Sequence, residues 1–223
     1  MKGKIKNKIA LVTGASRGLG RSISKSLAKE GAELILVGRT ISALEELDDE
    51  VKSMGSKSTI VPMDLEDNEA IDILGSEINK KWGKLDILIS NAGIVGEITP
   101  ISHLDPIIWN KVININLHVN FRLIRSFEPL LKNSKKSNAV FITDGNIKKK
   151  QPFWAPYNIS KLGLEILVET WKKEITLTNI NAFIFDPGEM KTDLRASFMP
   201  GEKSNLLNNP DEISKKIVDL IKF

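Results

Sequence analysis

The sequence predicts an α/β protein in which one parallel sheet carries helices on both faces, a three-layer doubly wound arrangement. Three observations carry that expectation. Short continuous apolar runs, of the kind a strand covered on both faces needs, alternate strictly with stretches of helical periodicity. A glycine-rich turn follows the first of these runs directly. The residues with chemical potential fall just beyond the ends of the runs, where ligands of open α/β sheets sit.

The first run is Ile9-Ala10-Leu11-Val12, and it breaks into Thr13-Gly14-Ala15-Ser16-Arg17-Gly18-Leu19-Gly20. Gly14, Gly18 and Gly20 leave out side chains where the backbone turns sharply and a ligand can come close. The helix that follows, from about Arg17 to Glu30, aims its unpaired N–H groups at the gap, a seat for an anion such as a dinucleotide pyrophosphate. Glycines alone do not establish this, because turns from strand to helix use them without binding anything.

Glu33 to Gly38 is the second strand, and Ile41 to Lys52 is helical through Ile41, Leu44, Leu47 and Val51. Thr59 to Met63 is the third strand, Ala70 to Trp82 a helix, and Leu85 to Ser90 the fourth strand, ending at Asn91-Ala92-Gly93. Asp105 to Leu131 is expected as one long helix, Ala139 to Thr143 as the fifth strand and Ala155 to about Leu177 as a helix. Ile180 to Phe185 is the sixth strand, and Asp211 to Lys222 the closing helix. Alternation of this kind means parallel pairing through right-handed crossovers.

At 223 residues the chain fits one α/β domain. With 41% hydrophobic and 27% charged residues it has the composition of a soluble globular protein. The absence of cysteine excludes disulfides and thiolate metal sites. No run approaches the ~20 apolar residues of a membrane helix, and the apolar run after the N-terminal lysines is too short for a signal sequence, so no membrane association and a cytoplasmic location are expected. The net charge of +4 is spread along the chain without a basic stripe or aromatic platform, which argues against nucleic acid. Only Lys148-Lys149-Lys150 forms a tight basic run. It is either a solvated loop or a lure for an anionic substrate. His103 and His118 lack partners at metal spacing, so no metal is expected. Asp48-Asp49-Glu50 is most simply a solvated helix face.

At the end of the second strand, dinucleotide enzymes that prefer the unphosphorylated cofactor place an acid on the ribose. Here Gly38 is followed by Arg39, which with Arg17 and Thr40 can donate charge-assisted hydrogen bonds to a 2′-phosphate. That choice of residues points to NADP(H); the plain alternative is two surface arginines flanking a turn. Tyr157, the only tyrosine, and Lys161 are four apart on one helical face. A phenol with pKa near 10 is a poor proton carrier at neutral pH, but a cation about 4 Å away is worth up to ~4 kcal/mol at an effective dielectric near 20. Proton exchange with a carbonyl or alcohol then becomes practical.

Together, Thr13 to Gly20, Asn91-Ala92-Gly93, Asn116, Tyr157-x-x-x-Lys161 and Pro187-Gly188 resemble, in order and spacing, the classical short-chain dehydrogenase/reductase family over nearly the whole chain. The resemblance implies a Rossmann fold with strand order 3-2-1-4-5-6. It implies that Gly14, Ser16, Arg17, Gly18, Leu19 and Gly20 cradle the cofactor, that Asp64 and Leu65 contact adenine, and that Asn91, Ala92 and Gly93 line its path. Pro187, Gly188, Met190 and Thr192 would lie near the carboxamide. Tyr157 would be the general acid/base, Lys161 would hold the ribose and bias the phenol, and Asn116 would anchor a water relay.

Two departures stand out. The family's catalytic serine lies thirteen residues before the tyrosine, and here that residue is Asp144. Either Asp144 is protonated and donates a hydrogen bond, or Thr143 substitutes, or catalysis is impaired. The chain also ends at Phe223, after the closing helix, so six strands are expected and the seventh is missing. The expected assembly is then a homodimer through the long helices that start at Asp105 and Ala155. The compact segment from Asp186 to Glu202 reads as a substrate lid resembling that of an uncharacterised bacterial subgroup. The expected activity is NADP(H)-dependent hydride transfer to or from a small carbonyl or alcohol substrate. The rival is a cofactor-binding sensor or scaffold that has lost efficient chemistry.

Overall fold

The computed structural model describes residues 5–221 and 223, with the side chains of 68 and 204 excepted. Among the described residues, six strands form one sheet in the order β3-β2-β1-β4-β5-β6. They are β1 (Ile9–Thr13), β2 (Glu33–Gly38), β3 (Ser58–Pro62), β4 (Ile87–Ser90), β5 (Ser137–Ile142) and β6 (Ile180–Phe185). Every pairing is parallel, with Leu11 opposite Ile35 on one side and Leu88 on the other. The sheet thus has the doubly wound Rossmann topology expected from sequence.

The continuous apolar runs explain the layers. In β1, Ile9 and Leu11 face a core with Phe127, Phe141, Leu164 and Trp171. Ala10 and Val12 face the opposite core, with Ile23, Leu36, Leu44 and Ile217. Successive side chains of a strand point to opposite faces, so a run without polar interruption must be covered twice. The first core is closed by α3 (Asn68–Trp82), α5 (Val119–Lys132) and α6 (Ala155–Glu174), and the second by α1 (Gly18–Lys29), α2 (Ile41–Ser53) and α8 (Pro210–Leu220). Ser22 donates to Asp211 at 2.6 Å, and Ser26 bonds Ser214 at 2.7 Å, holding α1 against α8.

Local signals set the helix ends. The Asp67 side chain accepts from Glu69 N and Ala70 N at the start of α3, and Gly83 (φ 66°) closes that helix in the left-handed region that favours glycine. Asp105 caps α4 (Pro106–Ile113), with Pro106 in the first turn, where its missing N–H costs nothing.

The expected single helix from Asp105 to Leu131 is not continuous. Between α4 and α5 the chain widens into a π turn over Asn114–His118, which holds Asn116. The helical period persists through the segment, so the apolar pattern gives no sign of the change. A short helix, α7 (Asp193–Phe198), was not expected at all. None of its residues is buried, so it carries no apolar periodicity to read. The acidic run on α2 is also more than a solvated face. Asp48 accepts from Lys52 and Ser58 at 2.5 Å each, and Glu50 pairs with Arg21 at 2.8 Å and Lys25 at 3.0 Å, so the helix is tied to β3 and α1. Ile41, the first of the apolar residues at helical intervals in α2, is 53% exposed.

At the N-terminal edge of the strands the Asp86 carboxylate is fully buried. It accepts from Ile9 N at 2.9 Å, Ser134 Oγ at 2.6 Å and Lys84 Nζ at 3.0 Å. Burial pushes its pKa up, but the bonds from Ser134, Ile9 and Lys84 outweigh that and hold it below the ordinary range. This end of the sheet is locked, and the opposite end is open.

Candidate active site

A cleft of about 440 Å³ opens at the C-terminal ends of the strands. Its floor is the glycine turn. Gly14 (φ 63°) and Gly18 (φ 53°) adopt conformations that side chains rarely take. A Cβ on Gly14 would come within 3.0 Å of the Asn91 amide and 3.1 Å of Ala92 Cα. Gly20 does not line the cleft; a Cβ there would drive into the Gly14 carbonyl, so this glycine lets α1 seat under the turn. The N-terminus of α1 has no side-chain cap and no acidic residue in its first turn, which leaves its N–H groups facing the cleft.

Asn91 braces the turn from β4. Its side chain donates to Thr13 O at 3.0 Å and Gly14 O at 3.3 Å, while the backbone N–H groups of Asn91 and Ala92 donate to Thr13 Oγ1 at 3.0 and 3.2 Å. Ser16, Arg17 and Leu19 line one end of the cleft with Gly38, Arg39 and Thr40; both arginines are exposed at the rim. Asp64 and Leu65, after β3, line the same end. Ala92 and Gly93 line the middle. Pro187, Gly188, Met190 and Thr192 line the cleft with Tyr157 and Lys161, and Thr192 also lies over the glycine turn, where a Cβ on Gly18 would be 3.5 Å from its methyl group.

Asn116 lies elsewhere. It is fully buried and not in the cleft wall. Its side-chain oxygen accepts from Ile94 N at 2.9 Å, and its amide donates to Ile94 O at 2.8 Å and Ser160 Oγ at 3.0 Å. Its backbone carbonyl accepts from Asn120 at 2.8 Å, and Ser160 donates to Tyr157 O at 2.8 Å. Rather than presenting its side chain to the cleft, Asn116 ties the loop after β4 to the helix that carries Tyr157.

Asp144 faces Tyr157 directly. The Tyr157 hydroxyl donates to Asp144 Oδ2 at 3.1 Å, and Asp144 Oδ1 accepts from Asn146 N at 2.8 Å. Thr143 also lines the cleft, and its hydroxyl donates to Glu165 at 2.9 Å. Lys161 is 5% exposed, and its ammonium donates to Ile142 O at 2.8 Å. Burial brings its pKa down to about 8, against an opposing pull from Asp144.

The Lys161 ammonium bonds Ile142 O rather than the phenol, and other groups set the Tyr157 pKa. Burial pushes the Tyr157 pKa far above its ordinary value, the Asp144 charge and hydrogen bond push it further, and Asp186 adds to this. Arg195 opposes weakly. A buried phenol beside two carboxylates holds its proton.

Several residues of this region escaped sequence reasoning. In the segment after β6, Arg195 is gripped by Glu202 at 2.6 and 2.7 Å and Glu189 at 3.3 Å, and it lies 5.6 Å above the Phe198 ring. Phe198 meets Trp154 edge-on at 5.2 Å, and Trp154 meets Tyr157 at 5.8 Å. The available signals were Trp154 three residues before Tyr157 and the arginine three after Thr192. Lys148 to Lys150 are exposed and line no part of the cleft, so the basic run does not support an anionic substrate.

The short chain dehydrogenase family profile matches residues 8–203. The chain belongs to the short-chain dehydrogenase family. Membership places it among oxidoreductases. The uncharacterized oxidoreductase YciK of Escherichia coli is 29% identical over 94% of this chain and 84% of its own. The chain spans only 49% to 64% of three other curated relatives. Among solved structures, a short-chain dehydrogenase from Pseudomonas syringae superposes with a TM-score of 0.95 at 30% identity, covering 100% of this chain and 92% of that one. One from Escherichia coli, solved with NADPH, gives 0.92 at 29% identity, with 100% and 94% covered. Among the described residues this short-chain dehydrogenase has no group of three or more metal-ligating side chains and no helix long and apolar enough to cross a membrane.

Proposed function

We propose that the protein is an NADP(H)-dependent oxidoreductase acting at a carbonyl or alcohol carbon, with Tyr157 handling the proton. The observation that carries this reading is that Tyr157 and the glycine turn line one cleft. The residues present fit a dinucleotide. Gly14, Gly18 and Gly93 line the cleft with no side chain between backbone and ligand, and the α1 N-terminus is uncapped. Solved neighbours with NADP or NADPH bound support the same cofactor. When bound, the nicotinamide supplies or accepts hydride.

The chain's own residues would do the rest. The α1 N–H groups would hold the pyrophosphate, and Arg39 with Arg17 the 2′-phosphate. Asp64 and Leu65 would flank adenine. Lys161 would donate to the ribose from its place beside Gly93. Tyr157 would donate its proton to the substrate atom lying against its hydroxyl. The exposed apolar residues Phe121 on α5 and Ile166 on α6 favour a homodimer through those helices.

The test is NADPH binding followed by NADPH oxidation with a panel of ketones and aldehydes, comparing wild type with Tyr157→Phe. Turnover that the substitution abolishes is the expected result. A second reading, a cofactor-binding protein with little chemistry, is favoured by the Tyr157–Asp144 hydrogen bond. It predicts NADPH binding without turnover that depends on Tyr157, and partial recovery in Asp144→Ser.

A further inference from the structure

A carbonyl oxygen only accepts hydrogen bonds, so a site built to polarise one aims donors at it. The wall around the Tyr157 hydroxyl is built otherwise. Its neighbour at 3.1 Å is Asp144 Oδ2, an acceptor, and the Thr143 hydroxyl is committed to Glu165. Asp186 adds a second negative charge near the phenol. Arg195, the nearby guanidinium, is already paired with Glu202 and Glu189. An acceptor-only reactant atom against Tyr157 meets the lone pairs of Asp144. A reactant atom that carries a proton and a positive charge completes the set.

We propose that the hydride acceptor of this site is a protonated carbon–nitrogen double bond, its N–H donating to Asp144 Oδ2 beside the Tyr157 hydroxyl. The inference rests on the hydride-transfer reading above, and it replaces both the carbonyl or alcohol carbon and the proton donation by Tyr157 given there. The carbon of the C=N–H⁺ group gains a hydride from a reduced nicotinamide dinucleotide and forms a C–H bond. The π electron pair moves to nitrogen, and the product is a neutral amine that solvent can protonate. No proton moves in that step. The work of Asp144 is to keep the nitrogen protonated, the form whose carbon accepts hydride, and that of Tyr157 is to position it.

Two measurements test this. The first needs no cofactor: binding of pyrrolidinium and of cyclopentanol, the cationic and neutral product analogues, is followed by ligand-observed NMR in wild type, Asp144→Asn and Asp144→Ser. Pyrrolidinium should bind at least about tenfold more tightly than cyclopentanol in wild type, the worth of a hydrogen bond to a charged group. Both substitutions should erase that preference, and two replacements guard against one that misfolds. Equal binding, no pyrrolidinium binding, or a preference that survives both substitutions overturns the proposal. The second compares NADPH oxidation with methylpyrroline and cyclopentanone. Faster turnover of the imine in wild type, shifting towards the ketone in Asp144→Ser, supports the proposal; a wild-type preference for the ketone overturns it. Failure to bind NADPH would remove the hydride-transfer reading, while the amine-binding result still decides whether this wall selects a cation.

Discussion

Replacing Asp144 by asparagine keeps the side-chain shape and removes one charge 3.1 Å from the Tyr157 hydroxyl oxygen. At that distance a unit charge opposes ionisation by about 5 kcal/mol at an effective dielectric of 20, and by about 1 kcal/mol at that of bulk water. At ~1.4 kcal/mol per pH unit, the midpoint for forming tyrosinate should fall by about one to four pH units. Tyr157 is the only tyrosine in the chain, so the ultraviolet absorbance of tyrosinate reports one residue, with Tyr157→Phe as the blank. Circular dichroism, recorded alongside, marks alkaline unfolding. In wild type no tyrosinate should appear until the fold is lost, because the native phenol is held protonated well above its ordinary range. The raised native pKa also means that the stability linked to Tyr157 is intact below about pH 10 and declines above it. A midpoint in Asp144→Asn equal to or above that of wild type would refute the electrostatic account of this pair.

Lys161→Met should raise stability at neutral pH while lowering any NADPH-dependent turnover. Moving the lysine pKa from 10.5 to about 8 costs the native state roughly 3 kcal/mol, and an orphaned Ile142 carbonyl takes back about 1. Urea unfolding should show the gain in full below about pH 8 and shrinking towards pH 10.5, where the unfolded lysine also loses its proton. Arg39→Ala should weaken NADPH binding about tenfold to a hundredfold and leave NADH nearly unchanged, as read by calorimetry. Asp86→Ala should cost about 1–3 kcal/mol in urea unfolding at pH 7, because the buried Ile9 N–H loses its acceptor while the part-exposed Lys84 can turn to water. In wild type that contribution is present above the ordinary carboxylate range and is lost as pH falls through the lowered native value.

The strands were legible because each is a short apolar run without polar interruption, and Thr13 to Gly20 announced the cleft by its glycines. Order and spacing were enough to bring Tyr157, Lys161, Asp144 and Asn91 to one end of the sheet. Their contacts were not readable. Which partner the Lys161 ammonium takes depends on how deep α6 packs against β5, and the side chain reaches Ile142 O. The direction in which Thr143 turns is decided by Glu165, two turns along α6 from Tyr157. The π turn at Asn114–His118 leaves the hydrophobic spacing on either side intact, so periodicity could not show it. Helix α7 is too short and too exposed for any pattern.

The sheet order sets a timetable for biosynthesis. Strand β1 finds its first neighbour within about twenty residues, since β2 starts at Glu33, but its other edge waits for β4 and for Asp86, which captures Ile9 N. At ~5–20 residues per second on the ribosome, roughly 4–15 seconds pass between the emergence of Thr13 and that of Ser90. Through that interval the centre of the future sheet is an open apolar edge able to pair with another nascent chain. Slow translation would lengthen this exposure, and a substitution that delays β4 docking would send the protein into aggregates before it lowered the stability of molecules already folded.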